Sequence, residues 1–244
     1  MDTAPAESVD VALEDGLWHI RLNRPHKRNA LTLRMFAALG DALRAGQSHP
    51  DARALLLSGA GSDYTAGHDL AEFVCWPQGP DDPIPRFLRA LPKIDKPVVM
   101  AVQGVAVGIG ATSLLHADWV CSTAEAKIRF PFVELGIVPE AGSTQLLAMS
   151  VGLNRAKRLL LAGEPVSGAV AHDWGLVSEI VDTTALLDTA RARACLLASR
   201  DARAFARSKV LLQPAGLARR IDEEIELINR AVLEHRAPAA DRDA

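Results

Sequence analysis

Cysteine is scarce in this chain. Its 3 cysteines in 244 residues, Cys75, Cys121 and Cys195, lie far apart and have no His or Cys neighbour at metal-ligand spacing. This excludes a disulfide framework and a metal cluster, and the three read as buried thiols in a reducing compartment. Charge of one sign is equally lacking: 23% of residues are charged, yet the net charge is only −3. There is no basic field to attract nucleic acid and no acidic tail to hold the chain in solvent. The opening stretch, Met1 to Asp10, offers neither a basic n-region nor an apolar h-region, so no signal or transit peptide is read and a cytoplasmic location is expected. One apolar stretch, Val98 to Leu115, is long enough to imitate a membrane span. It is broken by Gln103, Gly104, Gly108, Gly110, Thr112 and Ser113 and lacks flanking basic clusters, and so reads as a buried strand, a glycine turn and a buried helix. Internal repeats and low-complexity linkers are missing too. With nucleic acid, membrane and metal set aside, the expected partner is a small molecule.

What the chain does have is apolar side chains, 49% of the total, enough at this length for a sizeable core. Val9, Val11 and Leu13 alternate with polar residues, Asp15-Gly16 supplies a turn, and Trp18, Ile20 and Leu22 alternate again. That pattern predicts a β-hairpin. Thr32 is placed to cap a helix whose Leu33, Phe36, Leu39 and Leu43 share a face. The short apolar runs Ala54 to Leu57 and Val98 to Val102 predict strands buried on both faces. From Thr144 the pattern turns helical, with segments at Gln145 to Met149, Asn154 to Ala162, after Ser167, after Asp182 and after Asp201, interrupted by a strand-like Leu176 to Val181. The fold class expected is α/β in one domain over residues 1–244, a core at about 9–182 and a C-terminal helical region at about 183–236. The Pro77 to Pro85 stretch, rich in Pro, Gly and Asp, reads as a mobile loop over a site or as an ordinary surface loop.

Two glycine turns offer backbone to chemistry. In Tyr64-Thr65-Ala66-Gly67-His68-Asp69-Leu70, Gly67 permits close backbone approach and the His68 N–H follows it. In Gly104 to Thr112 the glycines lead from a strand into a helix, which collects N–H groups near Ile109. Two such amides converging on one oxygen would form an oxyanion hole. Either turn alone reads equally as a tight bend needed for packing.

Taken together, the ordered blocks Leu22-Asn23-Arg24-Pro25 with Lys27-Arg28-Asn29-Ala30-Leu31, Tyr64 to Leu70, Ala101 to Gly108 and Leu135 to Gly142 resemble the crotonase family of enoyl-CoA hydratases and isomerases. The resemblance runs from about Val9 to Val181 and more loosely beyond. It implies a crotonase-like spiral of ββα units followed by helices, assembled as a homotrimer or hexamer, and a coenzyme A thioester as substrate with no other cofactor. It also implies that the N–H groups of His68 and Ile109 are the oxyanion donors. Ile109 departs from the family's usual glycine, but a backbone donor survives a side-chain change. By the same resemblance Lys27, Arg28, Ala30, Ala66, Asp69 and Leu70 fall in the nucleotide-binding blocks; Lys27 and Arg28 read otherwise as solvated surface charges.

Which chemistry is performed depends on carboxylates. The positions of the two hydratase glutamates carry Thr112 and Phe132, and neither can act as a base. Glu140, in Val138-Pro139-Glu140-Ala141-Gly142, matches the position of the single carboxylate in a subset of the family's double-bond isomerases. Glu140 is therefore expected to be the base; without the resemblance it would read as a solvated charge or a helix N-terminal acid. Glu134 is its competitor. His116 and Asp118 are expected to cap and pack. The alternatives are a hydratase, hydrolase or lyase using the same enolate and, from another class, a noncatalytic acyl-CoA binder or scaffold subunit. The chain ends soon after the Glu223 to Val232 helix, which leaves cover for the acyl pocket open and predicts that Ile225, Leu227 and Ile228 seek cover from a neighbouring chain. The acyl-pocket wall is expected from Phe73 to Pro85.

Overall fold

A computed structural model describes residues 8–236; the start of the acidic N-terminal stretch and the Ala237 to Ala244 end lie outside the described residues. Strands β1 (Ser8–Glu14) and β2 (Leu17–Asn23) form the expected hairpin, pairing Leu13 with Trp18 around Asp15-Gly16. Both turn residues have positive φ, 51° and 83°, the conformation that a two-residue hairpin turn requires and that Asp-Gly supplies. Strands β3 (Ala54–Gly59), β4 (Val98–Val102), β6 (Trp119–Ser122) and β9 (Glu179–Ile180) then add in parallel, giving the order β1-β2-β3-β4-β6-β9.

This sheet is covered on both faces, as the unbroken apolar runs predict. Leu55, Leu57, Met100 and Val102 point into the larger core, where they meet Met35, Phe36, Leu39 and Leu43 of helix α1 (Leu33–Ser48). Their neighbours Ala54, Leu56, Val99 and Ala101 point the other way, into a second core. The period-2 alternation of a strand thus feeds two cores at once. Thr32 caps α1 as expected, its hydroxyl accepting from the Met35 amide at 3.2 Å.

A second, shorter row of strands determines where the site forms. Strand β5 (Val105–Val107) pairs with β7 (Lys127–Arg129), and β7 with β8 (Val166–Ser167). Two isolated bridges, Thr65 to Ala106 and Leu31 to His68, extend the row toward the N-terminus. Each turn of the chain therefore lays one strand in the large sheet and then one segment in this row, which is the spiral of ββα units. The sequence reading of Val98 to Leu115 missed β5, because three residues between glycines show no period; the helix that follows is one short turn, α3 (Ile109–Thr112), continued by a 3-10 turn at Ser113–His116.

The remaining helices are α2 (Pro83–Ala90), α4 (Ser143–Val151), α5 (Leu153–Ala162), α6 (Gly168–Asp173), α7 (Leu186–Ala198), α8 (Ala202–Leu212) and α9 (Leu217–Arg236). Helix α7 lays Leu186, Ala190 and Ala194 on the second core. The strand expected over Leu176 to Val181 shrinks to Glu179–Ile180, since only the end of the run reaches β6. The cysteines correct another expectation: only Cys121 is buried, while Cys75 and Cys195 are exposed. Cys195 follows buried Ala194 on α7 and so falls on the solvent side of that helix. Among the described residues no helix is long and apolar enough to cross a membrane.

Candidate active site

The two glycine turns pack against each other. Thr65 donates to the Val105 carbonyl at 2.9 Å, and Val107 donates back to the Thr65 carbonyl at 3.1 Å. A Cβ on Gly67 would lie 2.5 Å from the Val107 carbonyl, and one on Gly110 would lie 2.5 Å from Thr65 Cγ2. Glycine is needed at both places for one reason: the turns approach more closely than any side chain allows. On the outer side, Leu31 donates to the Gly67 carbonyl at 2.7 Å and accepts from Asp69 at 2.9 Å. In a parallel bridge of this kind the intervening residue turns its own N–H away from the partner, so the His68 amide faces away from Leu31. Ile109 opens α3, where the first N–H groups have no acceptor within the helix; Ala111 and Thr112 both donate to the Gly108 carbonyl.

Both residues line one cavity of about 250 Å³, together with Ala66, Leu70, Trp76, Phe132, Glu134, Glu140 and Ile228. Its walls are mainly apolar. Glu140 is its buried acid, only 8% exposed. Burial first, and repulsion from Glu224 nearby, push the Glu140 carboxyl up to about 8 against a hydrogen bond from Thr112 that favours its charged form. The Thr112 hydroxyl is drawn only weakly to the Ile109 carbonyl, at 3.4 Å, which leaves it available to the carboxyl. Glu140 is thus neither a solvated charge nor a plain helix-terminal acid. Glu134 lines the same cavity but has both oxygens engaged by Arg129 Nη2, at 2.8 and 2.6 Å. The His68 imidazole lies edge-on to Phe36, with centroids 5.3 Å apart. Burial lowers its pKa to about 4, so the ring is neutral at physiological pH.

Comparison with known proteins identifies the framework. The sequence model of the enoyl-CoA hydratase/isomerase family matches residues 12–231. The chain belongs to the enoyl-CoA hydratase/isomerase family. It is 38% identical over 195 residues to the 1,2-epoxyphenylacetyl-CoA isomerase of Escherichia coli (strain K12), covering 77% of this chain and 74% of that protein. To the 2,3-dehydroadipyl-CoA hydratase of the same organism it is 33% identical over 210 residues, 85% of this chain and 80% of the relative. Among solved structures, Pseudomonas aeruginosa OdaA superposes with a TM-score of 0.89 at 36% identity, covering 96% of this chain and 95% of that one. The crotonase fold expected from the motifs is the fold this chain has.

Within this crotonase-family framework the other expected residues divide in two. Ala66 and Leu70 line the cavity. Lys27 and Arg28 are exposed on a 3-10 turn outside it, yet the Arg28 carbonyl accepts from the Ala66 amide at 2.9 Å, which ties that turn to the cavity rim. Ala30 is half-buried between them. Asp69 is engaged by Arg24 at 2.6 Å, and that guanidinium holds its carboxyl below the usual range; Arg24 also donates to the Ala30 carbonyl at 3.2 Å. Of the hydratase positions, Phe132 forms cavity wall and Thr112 lies behind Glu140. Of the Phe73 to Pro85 stretch, in which the side chains of Phe73 and Val74 lie outside the described residues, Trp76 lines the wall, alongside Phe132, Leu135 and Ile137 and Ile228 of α9.

Three residues exceed or escape the sequence reading. Asp118 accepts from the Val98 amide at 2.7 Å and pairs with Lys209 at 2.6 Å, joining β4 to α8. His116, expected only to cap or pack, donates through Nε2 to the Ala141 carbonyl at 2.7 Å, next to Glu140; a carbonyl only accepts, so the proton sits on Nε2. Glu224 was missed altogether. A signal for it exists: it falls among Leu217, Ile221, Ile225 and Ile228 on the buried stripe of α9, where a charge is out of place.

Proposed function

We propose that this chain is an enoyl-CoA double-bond isomerase that works through a thioester enolate, with Glu140 as its one base. The ionised Glu140 takes a proton from C2 of a 3-enoyl-CoA. The electron pair left behind delocalises into the thioester carbonyl and along the C3–C4 double bond as a dienolate. The same carboxyl then returns the proton to C4, leaving the double bond between C2 and C3. The N–H groups of His68 and Ile109 would hold the oxygen on which charge develops, each worth about 2.7 to 4 kcal/mol at the transition state. A base whose proton affinity lies near the working pH is suited to this shuttle, because it must both take and return the proton.

What supports isomerisation over hydration is the carboxylate inventory of the cavity. Glu140 is its one buried acid, the second acid Glu134 is bound by Arg129, and the two hydratase positions hold Thr112 and Phe132. Addition of water needs one group to activate the water and another to protonate C2, whereas a proton shuttle needs one group. The relatives carry names of both kinds, an isomerase at 38% and a hydratase at 33% identity, so hydration is the competing activity.

The deciding experiment offers the protein a 3-enoyl-CoA and a trans-2-enoyl-CoA. Conversion of the first into the second, with no 3-hydroxyacyl-CoA formed, is the expected outcome; accumulation of the hydroxyacyl product would assign a hydratase. Solvent-deuterium exchange at C2 of a substrate analogue follows the base itself. Glu140→Gln should lower that exchange by about 10² or more while the thioester still binds. Exchange at the wild-type rate would move the base to Glu134.

A further inference from the structure

The turn that carries Glu140 has an unusual backbone and is gripped from two sides. Ala141 and Gly142 both have positive φ, 58° and 70°, and a buried alanine in that conformation persists only where its surroundings enforce it. From one side His116 donates to the Ala141 carbonyl at 2.7 Å. From the other comes Glu224, a residue of α9 only 3% exposed. Its carboxylate accepts from the Gly142 amide at 2.6 Å, from the Thr144 hydroxyl at 2.6 Å and, at 3.4 Å, from the Thr144 amide. Leu217 of α9 presses on Gly142 so closely that a Cβ there would collide with it.

Helix α9 also acts further along its length. Ile228 lines the cavity, and Asn229 grips the Gln78 backbone twice, accepting from its N–H at 2.9 Å and donating to its carbonyl at 2.8 Å. One helix thus touches the Glu140 turn, the cavity wall and the segment after Trp76.

We propose that Glu224 is a positioning residue for Glu140: its carboxylate locks the Ala141-Gly142 turn in the shape that delivers Glu140 to the cavity, and so ties placement of the base to the seating of α9. The proposal rests on Glu140 being the base. The electrostatics agree with the geometry. Burial raises both carboxyls, but Glu224 collects three donors and is drawn to Arg220, whereas Glu140 has Thr112 alone. Each donated hydrogen bond favours the charged form. Of the two coupled acids Glu224 therefore carries the negative charge and Glu140 the proton. The other titratable group touching the turn, His116, is neutral, since burial, aided by Lys209 and opposed by the hydrogen bond to Ala141, takes it down to about 4. Ionising Glu140 thus means placing a second negative charge beside Glu224.

The full-length variants Glu224→Gln and Glu224→Ala test this. The readouts are the Glu140 carboxyl titration by ¹³C NMR, assigned by its loss in Glu140→Gln, and the pH profile of C2 exchange. Gln keeps the length and an accepting oxygen but removes the charge, so both curves should move to lower pH by about one unit. Ala removes the lock as well as the charge, so the exchange plateau above the limb should fall about 10- to 100-fold, whereas Glu224→Gln should keep most of its plateau. An unmoved Glu140 titration in Glu224→Gln would overturn the proposal, including the case where Glu224→Ala does not fold. Exchange that persists in Glu140→Gln would instead overturn Glu140 as the base. The NMR titration would still report whether Glu224 controls Glu140, so the two failures are distinguishable.

Discussion

Glu140 stays protonated over most of the physiological range, because burial holds its carboxyl up to about 8 in the folded chain, against about 4.3 for an exposed glutamate. Between those two values the folded state binds a proton that the unfolded state releases, so the stability linked to this group is fully present at low pH and is lost as pH rises through 8. Glu140→Gln has no such loss. Denaturant unfolding at pH 6 and pH 9 should show the variant gaining on the wild type at the higher pH, by on the order of 2 kcal/mol. Equal gaps at both pH values would mean that the carboxyl is not buried as described. Activity runs the other way, with kcat/KM rising toward a limb near pH 8 as the base ionises. At Lys27 and Arg28 the chemistry is remote. Exposed on a turn tied to the rim at Ala66, they would meet the anionic end of a coenzyme A thioester equally in the ground and transition states. Replacing both with Ala should raise KM and leave kcat nearly intact, and an unchanged KM would remove them from the site.

The two glycine turns act as one element, and their contact can be tested without touching an ionisable group. In Gly110→Ala the new methyl would collide with Thr65 Cγ2; Thr65→Ser deletes that methyl but keeps the hydroxyl that donates to the Asn29 carbonyl at 2.6 Å and accepts from the Gly67 amide at 3.0 Å. Gly110→Ala alone should lower both stability and turnover, and the double variant should recover part of each, a coupling that a double-mutant cycle would place at about 0.5 to 3 kcal/mol. Strict additivity would mean that the turns do not depend on each other's shape. This element also marks how far the sequence could be read. Gly67 and Gly108 were legible because glycine turns are local signals, whereas Glu140 was singled out only through the crotonase resemblance of its Val-Pro-Glu block. The row of short strands that joins the turns was not, because β5 has three residues and the Thr65 to Ala106 link is a single bridge, both too short to show a period. Glu224 was hidden differently: it reaches Gly142 across 82 positions, and only its misfit on an apolar stripe betrayed it.

At the scale of the molecule, of the three α9 residues the sequence indicated as calling for a neighbour, only Leu227 is exposed, at 43%. Ile225 and Ile228 of α9 are covered by their own chain, at 4% and 1% exposure, because α9 folds back over the cavity and the Glu140 turn. Helix α8 is the element left bare. None of its residues is buried, and Val210, Leu211 and Leu212 at its end are 58%, 85% and 80% exposed. A contiguous apolar end of this kind, on a helix anchored to its own chain through Lys209, is suited to cover by another surface. The crotonase resemblance implied trimers or hexamers, and a closed assembly of identical chains supplies such a surface without exposing a new one. Light scattering at micromolar concentration should therefore give three or six times the chain mass, and Leu211→Glu with Leu212→Glu should reduce it toward a single chain. The cavity is built within one chain, so the double variant should keep its folded secondary structure. A wild-type protein that scatters as a single chain would leave the end of α8 exposed to water and refute the assembly.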